Sequence, residues 1–197
     1  MTIVAAPLAR ADATTEGFVA QYATKAINSL AGAASANERS SAFGALMDQF
    51  ADLPAISTFV LGAYARPLRA DPALKAQWTS AFRNYAMASY EAHFDKYRGS
   101  ALHVTGSQDY QINGRPCSRV ATQLTAKSAG PLAINWYLCD GPDGWKVGDV
   151  GVIKGTSELK LAITQRAEMV AFLGANGGDL PKLIARVMQQ TAALKKS

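Results

Sequence analysis

Apolar residues recur with a helical period in the first third of the chain. In residues 14–31 they stand four positions apart, at Phe18, Tyr22, Ala26 and Leu30. This spacing predicts an amphipathic helix. Residues 37–51 predict a second helix with Asn37 as its N-cap. A third is predicted to begin at Pro54 and to stop before Pro67, because proline cannot continue an α-helix.

Six aromatic residues are concentrated in one helix-length segment, which Asp71 and Pro72 can open and which runs to about Gly99. At about 100° per residue, one helical face carries Trp78, Phe82 and Tyr85, and a second carries Tyr90, Phe94 and Tyr97. So wide an apolar sector must be covered on two sides, so the helix lies inside a core or lines a cavity. Buried tyrosine hydroxyls need partners, which favours a cavity that is partly polar.

Hydrophobic and polar positions alternate in residues 101–154, and turn signals divide this stretch into about four antiparallel strands. Residues 156–173 and 179–194 return to a helical pattern. Helices, then a sheet, then helices predict an α+β domain. Because four strands cannot close a barrel, helices must cover the apolar face of the sheet, and a cavity can open between the layers.

The two cysteines of the chain stand on either side of a predicted hairpin turn in residues 127–131. If Val120 pairs with Trp136 on the apolar face, Cys117 lies directly opposite Cys139 on the other face. A shift of two residues keeps the faces but separates the sulfurs to a diagonal. The favoured interpretation is a disulfide in an exported protein, and the alternative is two buried thiols in a cytosolic one.

Composition and charge narrow the class of protein. The 197 residues are 49% hydrophobic and 18% charged, which is typical of one globular domain with its own core. No apolar run is long enough to span a membrane. The net charge is +5, but the basic residues are scattered. This gives little support to nucleic-acid binding and suits an anionic partner or a membrane surface.

The first residues resemble the end of a secretory signal peptide. Residues 3–8 are a short apolar run, and Ala9-Arg10-Ala11 matches an A-x-A cleavage site before Asp12. Since the charged n-region is missing, we expect residues 1–11 to be a signal remnant and residues 12–197 to form a single domain. A plain N-terminal tail is the alternative.

Catalytic and metal-binding motifs are absent from the sequence. His93 and His103 have no cysteine or acidic residue at ligand spacing, and no G-x-S-x-G elbow occurs. Residues 148–157 are glycine-rich but do not match a phosphate loop, because the lysine precedes the last glycine. We therefore predict no enzyme and no cofactor. Asp149 is the candidate to test if an ionisable catalytic group exists.

Three groups of residues carry a family resemblance. The first is the helical block of residues 54–62 with Tyr64, Phe82, Tyr90, Phe94, Tyr97 and Gly99. The second, in a predicted strand, is Gly144-Trp145-Lys146-Val147 with Asp149-Val150. The third, in the closing helical segments, is Gly155-Thr156-Ser157, Arg166, Met169, Gly178-Asp179 and Leu183-Ile184. Their order and spacing over residues 38–187 resemble the MlaC family of periplasmic lipid carriers, also called the toluene-tolerance family. Met169 stands where that family usually has an aromatic residue, and residues 155–166 are slightly longer than its pattern. The HpnM branch, associated with hopanoids, shares the same skeleton.

The resemblance implies an NTF2-like α+β fold, with a curled antiparallel sheet covered by N- and C-terminal helices and an internal cavity for lipid acyl chains. It also implies a carrier of phospholipid or hopanoid-like lipid. Its partners would be an inner-membrane ABC transporter complex and an outer-membrane lipoprotein complex. The alternatives are a secreted NTF2-like enzyme that acts on a small hydrophobic substrate through Asp149, and a structural periplasmic adaptor with a filled core.

The faces predicted to be buried give an expected cavity wall. From the helices it takes Phe59, Tyr64, Phe82, Tyr90, Phe94 and Tyr97; from the sheet Val120, Trp136, Val147 and Val150; and from the closing helices Met169 and Leu173. Periodicity assigns these side chains to buried faces without separating core from wall.

Overall fold

Six α-helices and five β-strands make up the described part of the chain. The computed structural model describes residues 13–31, 35–94, 97, 99–125 and 130–196, so the predicted signal remnant lies outside it. The helices are α1 (Ala13–Ala31), α2 (Ala36–Phe50), α3 (Leu53–Phe59), α4 (Pro72–Phe94), α5 (Leu161–Ala175) and α6 (Leu180–Leu194), with a 3₁₀ helix at Gly62–Arg69. The strands are β1 (Ala101–Ile112), β2 (Arg115–Thr125), β3 (Leu132–Gly141), β4 (Gly144–Lys154) and β5 (Ser157–Lys160). The order of helices, sheet and helices confirms the predicted α+β class.

Side-chain oxygens fix where two of the helices begin. α2 begins after Ser35, whose hydroxyl accepts from the Glu38 N–H while the Glu38 carboxylate accepts from the Ser35 N–H at 2.8 Å. The predicted N-cap, Asn37, is therefore wrong, because the reciprocal pair requires a cap three positions ahead of the glutamate. α4 begins as predicted after Asp71, whose Oδ1 accepts from the Leu74 N–H at 2.9 Å.

The third helix is shorter than the sequence predicts. It ends at Phe59, and a 3₁₀ helix begins at Gly62, where φ is +56°. A left-handed residue interrupts an α-helix, and glycine adopts this conformation without steric cost. Pro67 lies inside the 3₁₀ helix and does not end the α-helix, since the fixed φ of proline suits 3₁₀ geometry.

The five strands form one antiparallel sheet in the order β1-β2-β3-β4-β5. β2 and β3 pair in the predicted register, with Val120 opposite Trp136. β1 and β2 are joined at Asn113 and Gly114, whose φ angles of +52° and +78° are those of a two-residue hairpin turn.

The fifth strand corrects the prediction of about four. Residues 157–160, which the sequence assigns to a helix, pair with β4 after a turn at Gly155, where φ is +60°. Glu158 Oε1 accepts hydrogen bonds from the Tyr137 hydroxyl at 2.8 Å and the Asn135 amide at 2.9 Å. These contacts and the strand pairing outweigh the local helical pattern.

Helices cover the apolar face of the sheet, which we call its inner face. α1 lies against β1 and β2, α2 and α3 against β4, and α5 against β4 and β5. The aromatic helix α4 contacts α2, α3 and α6. Its Trp78 and Phe82 are fully buried, and the Trp78 indole N–H donates to the Ser57 carbonyl at 2.8 Å. Because α4 has two apolar faces, several other helices are needed to cover it.

A disulfide joins Cys117 of β2 to Cys139 of β3, as predicted. The two cysteines lie directly opposite each other in the strand ladder, on the face of the sheet away from Val120 and Trp136. They are 22 positions apart, so the bond closes a loop that contains the hairpin turn.

Replacing both Cys117 and Cys139 with alanine should lower the free energy of unfolding by about 3 kcal/mol, because the cross-link restricts the unfolded chain over a loop of this length. Urea unfolding of the wild type and the double variant measures the difference. A reductant should destabilise the wild type by the same amount and leave the variant unchanged. Equal stability of the two oxidised proteins would contradict the prediction.

Candidate functional site

An apolar cavity lies between the helices and the inner face of the sheet. Its volume is about 40 Å³, well below the 300–1,000 Å³ of typical small-molecule sites, so the walls lie close together and must move apart to admit a large ligand. Protein interiors are close-packed, so an apolar opening between two layers is a candidate site even when it is small. Its described wall consists of Ala23, Ala26, Ile27, Phe43, Met47, Phe50, Ala51, Ile56, Tyr90, Leu124, Trp136, Val147, Asp149, Val150 and Leu161.

Aromatic rings form one part of the wall. Trp136 meets the ring of Phe50 edge-on with centroids 5.3 Å apart, and Phe50 stacks on Phe18 at 5.5 Å. The indole N–H of Trp136 donates to Thr122 Oγ1 at 2.8 Å. The N–H is the only hydrogen-bonding group of an indole, so the rest of the ring offers the cavity apolar surface alone.

Small side chains of α1 keep the opposite part of the wall open. Near its N-terminal end α1 is tied to the sheet, where the Ser107 hydroxyl donates to Glu16 Oε1 at 2.7 Å. Further along the helix, Ala23 and Ala26 line the cavity. An alanine methyl fills much less volume than the leucine or phenylalanine side chains of a packed core. The two alanines therefore leave room between α1 and the sheet.

Asp149 is the charged side chain of the described wall. Its Oδ1 accepts hydrogen bonds from the Val150 N–H at 2.7 Å and the Ala162 N–H at 2.8 Å. Ala162 lies in the first turn of α5, whose N-cap Lys160 makes no side-chain capping bond. Asp149 therefore satisfies this helix end from the neighbouring strand. Burial raises the pKa of the Asp149 carboxyl, and the two hydrogen bonds oppose the shift.

Tyr90 is the second ionisable group of the wall. Burial raises the pKa of its phenol beyond the usual range, and the Asp149 charge raises it further, while a hydrogen bond with Gln165 opposes the shift. The phenol is therefore neutral near pH 7. Within the described ranges, no three His, Cys, Asp or Glu side chains come together in a way that could hold a metal ion. The polar groups of the wall are few and are bonded to the protein itself.

Four of the residues predicted for the cavity line it: Tyr90, Trp136, Val147 and Val150. Tyr90 reaches the cavity from α4, and the other three come from the inner face of β3 and β4. Trp136 and Val150 are cross-strand partners, so they form one continuous patch of wall. Their contact with a lipid stays a prediction.

The other predicted residues lie elsewhere. Five are buried in the core and are not part of the described wall: Phe82, Tyr97, Val120, Met169 and Leu173. Phe59 is 43% exposed at the end of α3. Tyr64 belongs to the 3₁₀ helix and is half-buried. It lies beside Gly178, which is in the turn between α5 and α6. The side chain of Phe94 lies outside the described residues.

The side of the cavity formed by α1 and α2 is not among the residues predicted from the sequence. That side consists of Ala23, Ala26, Ile27, Phe43, Met47 and Phe50. The apolar stripes that predict the two helices contain a signal for it, since each stripe must face something apolar. A stripe does not show whether its partner is protein or an open space, so this side was not predicted.

Comparison with known proteins identifies the family. The family model described as MlaC protein matches residues 19–189, which include the whole described wall of the cavity. The chain belongs to the MlaC family. A search of curated proteins finds no significant match.

A solved structure shares the MlaC fold of this chain. The phospholipid-binding protein from Ralstonia solanacearum, determined in complex with a phospholipid, is similar with a TM-score of 0.75 and 16% sequence identity. The match covers 95% of this chain and 99% of that chain. In the described ranges, no helix combines the length and the apolar character needed to cross a bilayer.

Asp149 should make the protein less stable as the pH rises through the interval just above 3.8, the usual pKa of an aspartate. In that interval the folded protein keeps a proton that the unfolded chain has released, because the folded pKa is raised, so rising pH favours unfolding. Asp149→Asn removes this titration and keeps an oxygen that can accept the N–H groups.

Urea unfolding at a series of pH values tests this. The free energy of unfolding of the wild type minus that of Asp149→Asn should fall with rising pH. Asp143→Asn, at an exposed turn position, controls for the loss of one charge. A difference that rises with pH would show that the two N–H hydrogen bonds dominate over burial.

Proposed function

We propose that this protein is a periplasmic carrier that holds the acyl chains of a phospholipid, or of a hopanoid-like lipid, in the cavity between its helices and its sheet. The observation that carries the proposal is the cavity itself, whose described wall is apolar except for Tyr90 and Asp149. Membership of the MlaC family and the fold shared with a phospholipid-bound protein support it.

The wall suits acyl chains better than a lipid headgroup. An anionic phosphate inside the cavity would meet the Asp149 carboxylate, and the described wall contains no lysine or arginine to offset the repulsion. We therefore place the chains inside and the headgroup at the mouth. The hydrogen bond from the start of α5 accounts for Asp149 in the wall without a catalytic role.

The energetics are those of a carrier that exchanges its lipid. Two acyl chains of about 15 carbons would gain on the order of 20 kcal/mol on leaving water, at ~0.8 kcal/mol per CH₂. This is near the practical limit of non-covalent affinity, about 18–21 kcal/mol. A bilayer is an equally apolar environment, so transfer between protein and membrane is close to balance, and contacts with partner proteins can set its direction.

The proposed compartment is the periplasm. A disulfide joins the two cysteines, and disulfides persist in oxidising compartments. The signal-like start of the chain points the same way. We propose that the protein receives and delivers lipid at an inner-membrane ABC transporter complex and an outer-membrane lipoprotein complex.

Organic extraction of the wild type, purified from the periplasm of its own host, tests the proposal. Mass spectrometry of the extract should find a phospholipid or a hopanoid in stoichiometric amount. Extracts that hold neither lipid would overturn the carrier function.

Val150→Trp should reduce the bound lipid and cost less than about 1 kcal/mol in the lipid-free protein, because Val150 is half-buried at the cavity and is not enclosed in a packed core. Val120→Trp is the matched control: Val120 is fully buried outside the wall, so the same change should overpack the core and cost about 1–3 kcal/mol or more. Native mass spectrometry and urea unfolding give the two readouts. If Val150→Trp keeps its lipid and is destabilised as much as the control, the site is a filled core.

A further inference from the structure

Large apolar side chains stand exposed on the segments that border the cavity. Phe59, Leu159 and Ile163 are 43%, 42% and 50% exposed. Each lies close in sequence to a residue of the wall, since Phe59 follows Ile56 by one helical turn and the other two flank Leu161. Exposed apolar side chains mark an interaction surface where they lie together.

Arg166 joins two of these residues into one surface. Its guanidinium lies 4.8 Å from the centre of the Phe59 ring, and its Nη1 donates to the Phe59 carbonyl at 2.8 Å. Ile163 precedes Arg166 by about one turn of α5, so the two share a side of that helix. Phe59, Ile163 and Arg166 therefore form one patch, which we call the α3–α5 surface.

The 3₁₀ helix extends this surface with positive charge. At three residues per turn, Arg66 and Arg69 lie on the same side of that helix, and both are exposed. The helix begins at Gly62, which lies against the Arg166 guanidinium. α3, the 3₁₀ helix and α5 contain one acidic residue, Glu168. Burial raises the pKa of Tyr85 on α4, and the charge of Glu168 raises it further. Three arginines therefore stand against one glutamate on these elements, while Asp52 and Asp71 at their borders accept backbone N–H groups at the starts of α3 and α4.

We propose that the α3–α5 surface, together with Arg66 and Arg69, binds the anionic headgroups of a phospholipid bilayer. Arginines around half-exposed apolar side chains fit a charged headgroup layer over an apolar interior, as on proteins that lie in the membrane interface. Ile56 and Leu161, which line the cavity, lie on the same two helices as this surface, one turn from Phe59 and two positions from Ile163. The inference rests on the proposed function, because it brings the carrier to the membrane in which the proposed partner complexes lie.

Vesicle sedimentation tests the inference. The wild type should bind vesicles of phosphatidylcholine mixed with phosphatidylglycerol, bind vesicles of phosphatidylcholine alone far less, and be released by salt. Arg66→Gln with Arg69→Gln should lower the partition coefficient by about fivefold for each arginine. Phe59→Ser and Ile163→Ser should each lower it by about fivefold through lost apolar contact.

Matched variants on other surfaces serve as controls. Met188→Ser removes a 60% exposed apolar side chain from α6. The double variant Lys195→Gln with Lys196→Gln removes two exposed charges. Both variants should bind vesicles like the wild type. Equal binding to both kinds of vesicle, or equal losses in test and control variants, would overturn the inference. So would a wild-type dimer in sedimentation velocity that Phe59→Ser dissociates, since the surface would then bind a second copy. Absence of lipid in the organic extract, with vesicle binding intact, would instead overturn the proposed function alone.

Discussion

The pairing of β2 with β3 determines which side chains the sheet presents to the helices. In the observed register Val120 and Trp136 face inward together, while Cys117 and Cys139 meet on the opposite face. A slip of one residue would turn the apolar set to solvent and separate the sulfurs. The disulfide holds the observed register, in which the inner face of the sheet lines the cavity.

The cavity exists because the helices cover the sheet without filling the space beneath them. α1 is tied to the sheet near its start and presents Ala23 and Ala26 further along, where larger side chains would complete a core. An unfilled apolar space forgoes dispersion contacts that a packed core would make. A bound acyl chain would supply those contacts, so the proposed lipid acts as a removable part of the core and stabilises the folded protein by mass action.

Sequence patterns were sufficient for the elements that have strong local signals. Alternation assigns the faces of β2 and β3, and the two cysteines favour the observed register over a shift of two residues. The start of α4 follows from Asp71. Sequence patterns failed where tertiary contacts determine the secondary structure. β5 forms because its residues pair with β4, although their local pattern is helical. The site divides in the same way. Trp136 and Val150 were correctly predicted to line the cavity because they lie on the inner face of central strands. Phe59 was predicted for the cavity because it is apolar like the core residues, but it lies exposed beneath Arg166.

Photo-crosslinking with a phospholipid that carries a diazirine in one acyl chain measures the position of the chain directly. If the acyl chain occupies the cavity, crosslinks should form on both sides of it, to Ala26 and Met47 on the helices and to Trp136 and Val150 on the sheet. Crosslinks confined to the opposite face of the sheet, around Arg119 and Tyr137, or to the exposed Met188 of α6 would contradict it.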